Sequence, residues 1–255
     1  MGAVPLSAQH AVGRLPGLKE PALVSGPDAT LWLIWLEQRP QERGRTTALI
    51  RRFGDSEAEP QELTPAPSNL RSRVHDYGGG VLATAVEQDR LILAWIEHGC
   101  LWRQDWRLPQ TCPQQPTPLA APQRLSREGD WELADGVLDL PRQRWIGIRE
   151  IEGRDELVTL ALSGTDQIPL LLHQPTDFAG YGCLSPDGQL FAWVEWQQPA
   201  MPWDSSRLWC AEFSDTGNWS RPVSWPEAMA SRCFNPNGCP TGSCLWRRTA
   251  PVGGT

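Results

Sequence analysis

The sequence predicts an all-β protein in the form of a partial β-propeller, with about four blades visible. Four apolar runs of strand length share one feature: each ends on a glutamate, at Glu37, Glu97, Glu150 and Glu195. These glutamates recur at intervals of about 45 to 60 residues, the period of a four-stranded blade rather than of a helical repeat. The chain also holds 24 Pro and 23 Gly, which suit many short strands, and 14 Trp for a sizeable core.

Residues 1–21 contain Pro and Gly without periodicity and are predicted to be a lead, either a terminal strap or a disordered end. Blades one to four are then expected within residues 22–223, and blade one within about 22–53. The second strand of blade one closes on Trp35 and Glu37. The charged residues that follow, Arg39 among them, have the composition of a solvated hairpin loop, with a binding role as the alternative.

A loop with three consecutive glycines precedes the first strand of blade two. It contains His75, Asp76, Tyr77 and Gly78–Gly80. Such glycines indicate close approach of the backbone or unusual φ and ψ angles; they do not indicate phosphate binding, because no helix N-terminus follows. His75 and Asp76 are not expected to form an acid and base pair, since adjacent residues of an extended chain face opposite sides. We therefore predict a structural or gating loop.

The remaining blades repeat the pattern of short apolar runs and turns. Their predicted strands cover residues 81–86, 91–97 and 101–107 in blade two, and 131–140, 144–150 and 156–162 in blade three. Blade four occupies about residues 178–213. Its turn at Ser185–Gly188 joins two strands, because Pro presets φ at the second position and Gly tolerates positive φ. The run Leu190–Val194 is then a buried strand.

Three groups of residues carry a family resemblance. The first group is Trp35, Leu36, Glu37, Arg39, Pro40, Glu42, Gly44 and Arg45. The second is Tyr77 with Gly78–Gly80, and the third is Ser185–Gly188, Trp193, Trp196, Pro199, Met201, Pro202, Trp203, Asp204, Leu208 and Trp209. Together they resemble the N-terminal propeller of the prolyl oligopeptidase family of serine peptidases, in its bacterial dipeptidyl and acylaminoacyl peptidase-like branch. The resemblance spans about residues 18–223.

This resemblance implies a seven-bladed propeller that covers a C-terminal α/β-hydrolase domain and admits only small peptides. About four of those seven blades are visible, and the chain contains no Gly-x-Ser-x-Gly nucleophile elbow, so a truncated propeller that is inactive alone is expected. The predicted function is the substrate-gating portion of such a peptidase, with the peptide and the absent hydrolase domain as partners. The alternative is a free-standing propeller that binds a protein or small ligand; the DNA beyond the stop codon separates the two.

Strand direction predicts which loops share a face. Because successive antiparallel strands alternate in direction, the loops Gln198–Asp204 and His75–Gly80 are expected on one face, with Glu37, Glu97 and Glu195 near its rim. We expect this face to meet the hydrolase domain and one of these acids to bind a substrate ammonium; a merely solvated rim is the alternative. The candidate gating or interface residues are Glu37, Arg39, His75, Tyr77, Glu97, Glu195, Met201, Trp203 and Asp204.

Composition argues against several other classes of protein. The net charge is -7 without a Lys/Arg cluster, which argues against nucleic-acid binding. No apolar run has the length of a membrane span or signal peptide, so a soluble, cytoplasmic protein is expected. No cofactor is implied. Cys233, Cys239 and Cys244 suggest a zinc knuckle or disulfide loop, but they lack a Cys-x-x-Cys pair and a nearby His, and no metal site is predicted.

The tail over residues 224–255 is predicted to be translated out of frame and to lack native structure. Codons that encode Met229–Thr255 can also be read in the frame that starts at their third base. That frame is compatible with a peptide that has a Pro-Asn-Gly turn, an apolar strand and a Trp-Trp pair. That peptide resembles a fifth blade, with its turn where blade four has Pro186, Asp187 and Gly188. Freely chosen wobble bases are the simpler explanation, and the encoding DNA decides between the two.

Overall fold

Four antiparallel sheets hold most of the regular structure of the chain. They are seen in a computed structural model that describes residues 15–55, 57–110, 114–214, 217 and 219–224. Each sheet is built from strands that are close in sequence, and all but one strand, at residues 123–124, pair with a neighbour along the chain, as in a propeller blade. The predicted fold class, an all-β partial propeller with about four blades, is confirmed.

The strands group by blade. Blade one contains β1 (Gly17–Ser25), β2 (Leu31–Arg39), β3 (Arg45–Arg52) and β4 (Gln61–Glu62). Blade two contains β5 (Leu82–Glu87), β6 (Arg90–Glu97), β7 (Cys100–Arg107), β8 (Thr117–Pro118) and β9 (Gln123–Arg124). Blade three contains β10 (Glu132–Asp139), β11 (Arg144–Ile151), β12 (Arg154–Ala161) and β13 (Leu170–His173). Blade four contains β14 (Phe178–Leu184), β15 (Leu190–Trp196), β16 (Arg207–Glu212) and β17 (Val223–Ser224). Short 3-10 turns cover Pro27–Ala29, Pro40–Glu42 and Val74–Asp76.

The described residues up to Pro175 form one compact unit that contains blades one to three. Its hydrophobic core is filled from strands whose side chains alternate between two faces. In β2, Trp32, Ile34 and Leu36 are buried, whereas the residues between them are more accessible. The middle strand of blade two is buried along Leu91–Ile96, because both faces of its sheet are covered. This shared core packs the three blades against one another.

Blade four belongs to a second compact unit, which begins at Thr176. The predicted turn Ser185–Gly188 joins β14 and β15, and the Gly188 amide donates to the Ser185 carbonyl at 2.8 Å. The hydroxyl of Ser185 donates to the carboxylate of Asp187, and this bond lowers the pKa of the Asp187 carboxyl. Gly188 has a φ of 68°, as the turn requires.

Aromatic rings fill the interior of blade four. Trp193 is fully buried, and its ring centroid lies 5.8 Å from that of Phe191 and 6.3 Å from that of Trp209. Both pairs are stacked. In a displaced stack the negative faces of the two rings do not lie directly over one another, which reduces their repulsion. The run Leu190–Val194 is therefore the buried strand that its composition predicts.

Strand β1 begins at Gly17, inside the predicted lead over residues 1–21. Its register against β2 shifts at Glu20, whose φ is 48°. A bulge with a left-handed residue interrupts the alternation of side chains, so no period-two pattern marks this strand in the sequence. Asp135 in β10 and Tyr181 in β14 occupy similar bulges, with φ of 51° and 58°.

The predicted lead before residue 15 and most of the predicted tail, with its three cysteines and the shifted frame, lie outside the described residues. The described ranges hold three cysteines, Cys100, Cys183 and Cys210, and the thiols of Cys100 and Cys210 are free. No helix in this part of the chain has the length and hydropathy needed to cross a membrane.

One face of blade one carries accessible apolar side chains. Leu31 is 40% exposed, Phe53 is 53% exposed, and Leu23, which lies across from Leu33, is 39% exposed. The amide of Phe53 donates to the Leu31 carbonyl at 2.8 Å, so these two residues are neighbours on adjacent chain segments. Such a patch on a sheet favours self-association.

We expect the chain to associate at micromolar concentrations through this face, and Leu31→Ser with Phe53→Ser to weaken the association about tenfold or more. The loss follows from removing two large apolar side chains from the contact. Sedimentation velocity across a concentration series measures the change, with Leu119→Ser, at a position that is 43% exposed, as the matched control. A monodisperse wild-type monomer would contradict the prediction.

Candidate functional site

The segment of residues 73–82, which we call the Tyr77 loop, is a surface segment of the first unit that is held by many hydrogen bonds. It contains the 3-10 turn Val74–Asp76, in which His75 and Asp76 have φ of 49° and 61°. The amides of Tyr77 and Gly78 both donate to the Val74 carbonyl, at 3.1 and 2.9 Å. The side chain of Tyr77 is held at the tip of this turn and is 96% exposed.

The three glycines of the loop are explained by their backbone and their neighbours. Gly78 has a φ of 81°, which favours glycine. A Cβ on Gly79 would lie 2.7 Å from the Cβ of Ala134, and a Cβ on Gly80 would lie 2.8 Å from Oδ1 of Asp135. The structural prediction from the sequence, close approach of the backbone with an unusual φ, is therefore confirmed.

Five carboxylates from the surrounding strands bind the Tyr77 loop. They come from β1, β10, β11 and β12, and all of them accept hydrogen bonds from the loop or share one with its imidazole. Four of them accept from backbone amides: Glu132 from Arg73 at 3.3 Å, Glu150 from His75 at 3.4 Å, Asp135 from Gly80 at 2.6 Å, and Glu20 from Val81 and Leu82 at 3.0 Å. The fifth, Asp155, bonds the His75 side chain.

A contact between two side chains joins His75 of the loop to Asp155 of β12. Nε2 of His75 lies 2.7 Å from Oδ1 of Asp155, whose side chain is only 3% exposed, while that of His75 is 24% exposed. The buried carboxylate thus fixes the orientation of the partly exposed imidazole. The described residues contain no group of three or more His, Cys, Asp and Glu arranged for a metal ion.

Two of the glutamates predicted near the rim of the gating face are buried. Glu97 is 7% exposed and accepts from the Asn69 amide at 2.7 Å and from Nε1 of Trp95 at 3.3 Å. Glu195 is 9% exposed and accepts from Nε1 of Trp193 at 2.7 Å. In both strands the Trp lies two residues before the Glu, so both side chains stand on the same face. These carboxylates therefore bind indole groups inside their own blades.

Glu37 takes part in a different arrangement, a network of ion pairs at the end of blade one. The guanidinium of Arg39 contacts Glu37 at 2.8 Å, Glu42 at 3.1 Å and Glu62 at 3.3 Å. Arg45 contacts Glu42 and Glu62, both at 2.6 Å, and its hydrogen bond lowers the pKa of the Glu42 carboxyl. The hairpin loop is thus tied to the outer strand β4 by charge-assisted hydrogen bonds.

In the second unit, the loop after β15 presents Met201 and Trp203, which are 44% and 68% exposed. The amide of Asp204 donates to the Met201 carbonyl at 2.9 Å, and its carboxylate accepts from the Met201 amide at 3.2 Å. Between them Pro202 is buried. Two apolar side chains are thus held outward on a hydrogen-bonded turn with a buried anchor.

The sequence patterns do not reveal the residues that hold the Tyr77 loop. Glu20 and Asp135 lie at bulges, where the pattern of alternation fails. Asp155 lies 80 residues from His75 along the chain, and a contact at that separation leaves no local pattern. The sequence gives only a weak signal for Asp155: the hairpin turn that precedes it marks the start of β12.

Comparison with known proteins identifies similar solved structures. A puromycin-hydrolyzing peptidase from Mycobacterium tuberculosis is 26% identical over 82% of this chain, with a TM-score of 0.62. A puromycin hydrolase is 25% identical over 88% of this chain, with a TM-score of 0.66, and a variant of a puromycin hydrolase bound to PGG is 24% identical with a TM-score of 0.68. The chain spans only 32% to 35% of the length of these structures. No family model and no curated protein matches it.

Proposed function

We propose, from the premise that this chain is a four-blade portion of a prolyl oligopeptidase-family propeller, that it gates the access of peptides to an α/β-hydrolase domain. The observation that carries this proposal is the likeness to puromycin-hydrolysing enzymes over more than four-fifths of the chain. We propose that the parent protein is a serine peptidase that acts in the cytoplasm on short peptides. Peptide and hydrolase domain are the partners that this role requires.

The exposed aromatic residues support a role in contact rather than in folding. Tyr77 and Trp203 are 96% and 68% exposed, although aromatic side chains are usually buried where they stabilise a fold. Both lie on loops that are fixed by hydrogen bonds, so little conformational entropy is lost when a partner binds. We propose that both loops face the hydrolase domain and narrow the path of the substrate.

The encoding DNA tests the parent protein directly. We expect the frame that starts at the third codon base to continue past residue 255 through further blades to a Gly-x-Ser-x-Gly elbow. The tail over residues 224–255 would then be a frameshifted product, and the intact gene could be restored by correcting one position. An early stop in the shifted frame, or an open frame without such an elbow, would favour a free-standing binding propeller.

In the restored protein, Tyr77→Ala and Trp203→Ala are expected to raise kcat/KM for a peptide of about twenty residues relative to that for a dipeptide amide. A change of about threefold in this ratio corresponds to a decrease of ~0.7 kcal/mol in the activation free energy for the longer peptide relative to the dipeptide amide. The ratio is measured in one mixture by mass spectrometry, so that differences in active enzyme cancel. Leu119→Ala, at an exposed position after β8, serves as the control, and an unchanged ratio in both loop variants would contradict gating by these residues.

A further inference from the structure

Glu20 and Asp135 reach adjoining backbone amides from two different blades. Asp135 of β10 accepts from the Gly80 amide at 2.6 Å, and Glu20 of β1 accepts from the amides of Val81 and Leu82, each at 3.0 Å. These amides lead into β5, which contacts both β1 and β10. Two carboxylates therefore clamp the point at which the Tyr77 loop becomes a strand.

The two carboxylates have no cation within ion-pair distance among the described residues. Neither forms an ion pair there, although the structure contains many ion pairs elsewhere in blades one to three. Burial raises the pKa of Glu20, and the charge of Asp135 raises it further, against the opposing effects of two amide hydrogen bonds and of Lys19. Burial also raises the pKa of Asp135, against its bond from Gly80.

Other charged groups lie near the same segment, and their electrostatic effects must be distinguished from those of Glu20 and Asp135. They are Lys19 in β1, Glu132 in β10, Glu150 in β11, Asp155 in β12, and Arg73, His75 and Asp76 in the loop itself. Three of the carboxylates are bound to the first half of the loop, at Arg73 and His75. Among the carboxylates of the described residues, only Glu20 and Asp135 bind the second half, Gly80–Leu82.

We propose that Glu20 and Asp135 form a pH-sensitive clamp that holds the start of β5, and with it the Tyr77 loop, more tightly in acid than at neutral or alkaline pH. When both carboxylates are charged, they repel one another across three amides and lose hydration without an ion pair to compensate, and Lys19 offsets only part of this cost. Uptake of one proton removes the repulsion and leaves oxygen atoms that still accept from the amides. The clamp is a property of this chain and does not depend on the proposed function.

The sign of the effect follows from proton linkage. Ordinary pKa values are 4.5 for Glu20 and 3.8 for Asp135, and both are raised in the folded protein. At a pH between the ordinary and the raised pKa values, the segment Gly80–Leu82 binds more protons when the two carboxylates hold it than when it has opened. Its stability is therefore complete below the ordinary values and falls as pH rises through the raised ones.

Hydrogen exchange of the full chain, followed by NMR and corrected for intrinsic rates, tests the clamp at the amides of Val81 and Leu82. From pH 5 to pH 8 we expect their protection factors to fall about threefold to tenfold relative to the amides of Leu91–Ile96 in β6. In Glu20→Gln/Asp135→Asn, which keeps acceptor oxygens without charge, we expect higher protection at pH 8 and no such fall. A flat wild-type profile would overturn the proposal even if the double variant failed to fold.

Two further variants assign the effect to the clamp. Glu87→Gln, at the other, exposed end of β5, should keep the wild-type pH dependence, and so should His75→Gln, which removes the imidazole bonded to Asp155. If His75→Gln abolished the fall in protection, the imidazole would be its source and the clamp would be refuted. An unchanged fall in the Glu20 and Asp135 double variant would refute it equally.

Discussion

Replacing Gly136 with alanine is expected to lower the free energy of unfolding by about 3 kcal/mol or more. A Cβ at this position would lie 1.7 Å from Nε1 of Trp145 and 2.1 Å from its Cε2. Trp145 is 1% exposed and belongs to the core shared by blades one to three. The indole cannot move aside into solvent, so either it leaves its rotamer or the bulge in β10 opens.

The requirement for glycine arises because the indole of Trp145 lies across two strands at once. A Cβ on Gly147, in the same strand as Trp145, would also meet the ring, at 2.3 Å from Cη2. Gly136 and Gly147 therefore form a flat surface on which the ring packs. Close-packed interiors have few voids that could take an added methyl group.

Urea denaturation followed by tryptophan fluorescence measures the change. Gly153→Ala is the matched control, because Gly153 also lies in blade three, has a φ of 76°, and would present an added methyl group to open space, with no neighbouring atom within 4 Å. Its expected cost is only the left-handed strain of about 1 kcal/mol. Trp145→Leu should partly rescue Gly136→Ala, since the two sites share one space. Equal losses in the two glycine variants would contradict the packing argument.

The strands of blades one to four follow from local patterns in the sequence. The run Leu91–Ile96 is apolar on both faces because β6 lies inside the unit, and the turn at Ser185–Gly188 carries its own backbone preferences. Where alternation is broken, prediction fails for a physical reason. The bulge at Glu20 removes the signal of β1, and its left-handed conformation is not one that Glu commonly adopts.

The candidate site was less accessible to sequence reasoning than the fold. Tyr77 is exposed on a constrained loop, and the carboxylates that bind this loop come from strands of other blades. Propeller blades bring such residues together through packing, which leaves no spacing rule in the chain. By contrast, the indole bond of Glu97 follows from period two, because Trp95 and Glu97 must share a face.

Glu97→Ala is expected to lower the free energy of unfolding by about 2–4 kcal/mol. The carboxylate accepts from the Asn69 amide at 2.7 Å and from Nε1 of Trp95 at 3.3 Å. Trp95 is 1% exposed, so its indole N–H cannot turn to water when the acceptor is removed. The buried indole N–H and the partly buried Asn69 amide would be left without partners, and a fully buried donor without a partner costs about 1–3 kcal/mol.

Thermal and urea unfolding of three variants separate this effect from the loss of a charge. Glu97→Gln keeps one acceptor oxygen and should lose less than half as much stability as Glu97→Ala. Glu87→Ala removes an exposed carboxylate at the end of β5, where Arg90 lies 3.9 Å away, and should change stability by at most about 0.5 kcal/mol. If Glu97→Ala were as mild as Glu87→Ala, the buried indole and the Asn69 amide would have found other partners, and the Trp-x-Glu pairs would not be fixed elements of the blades.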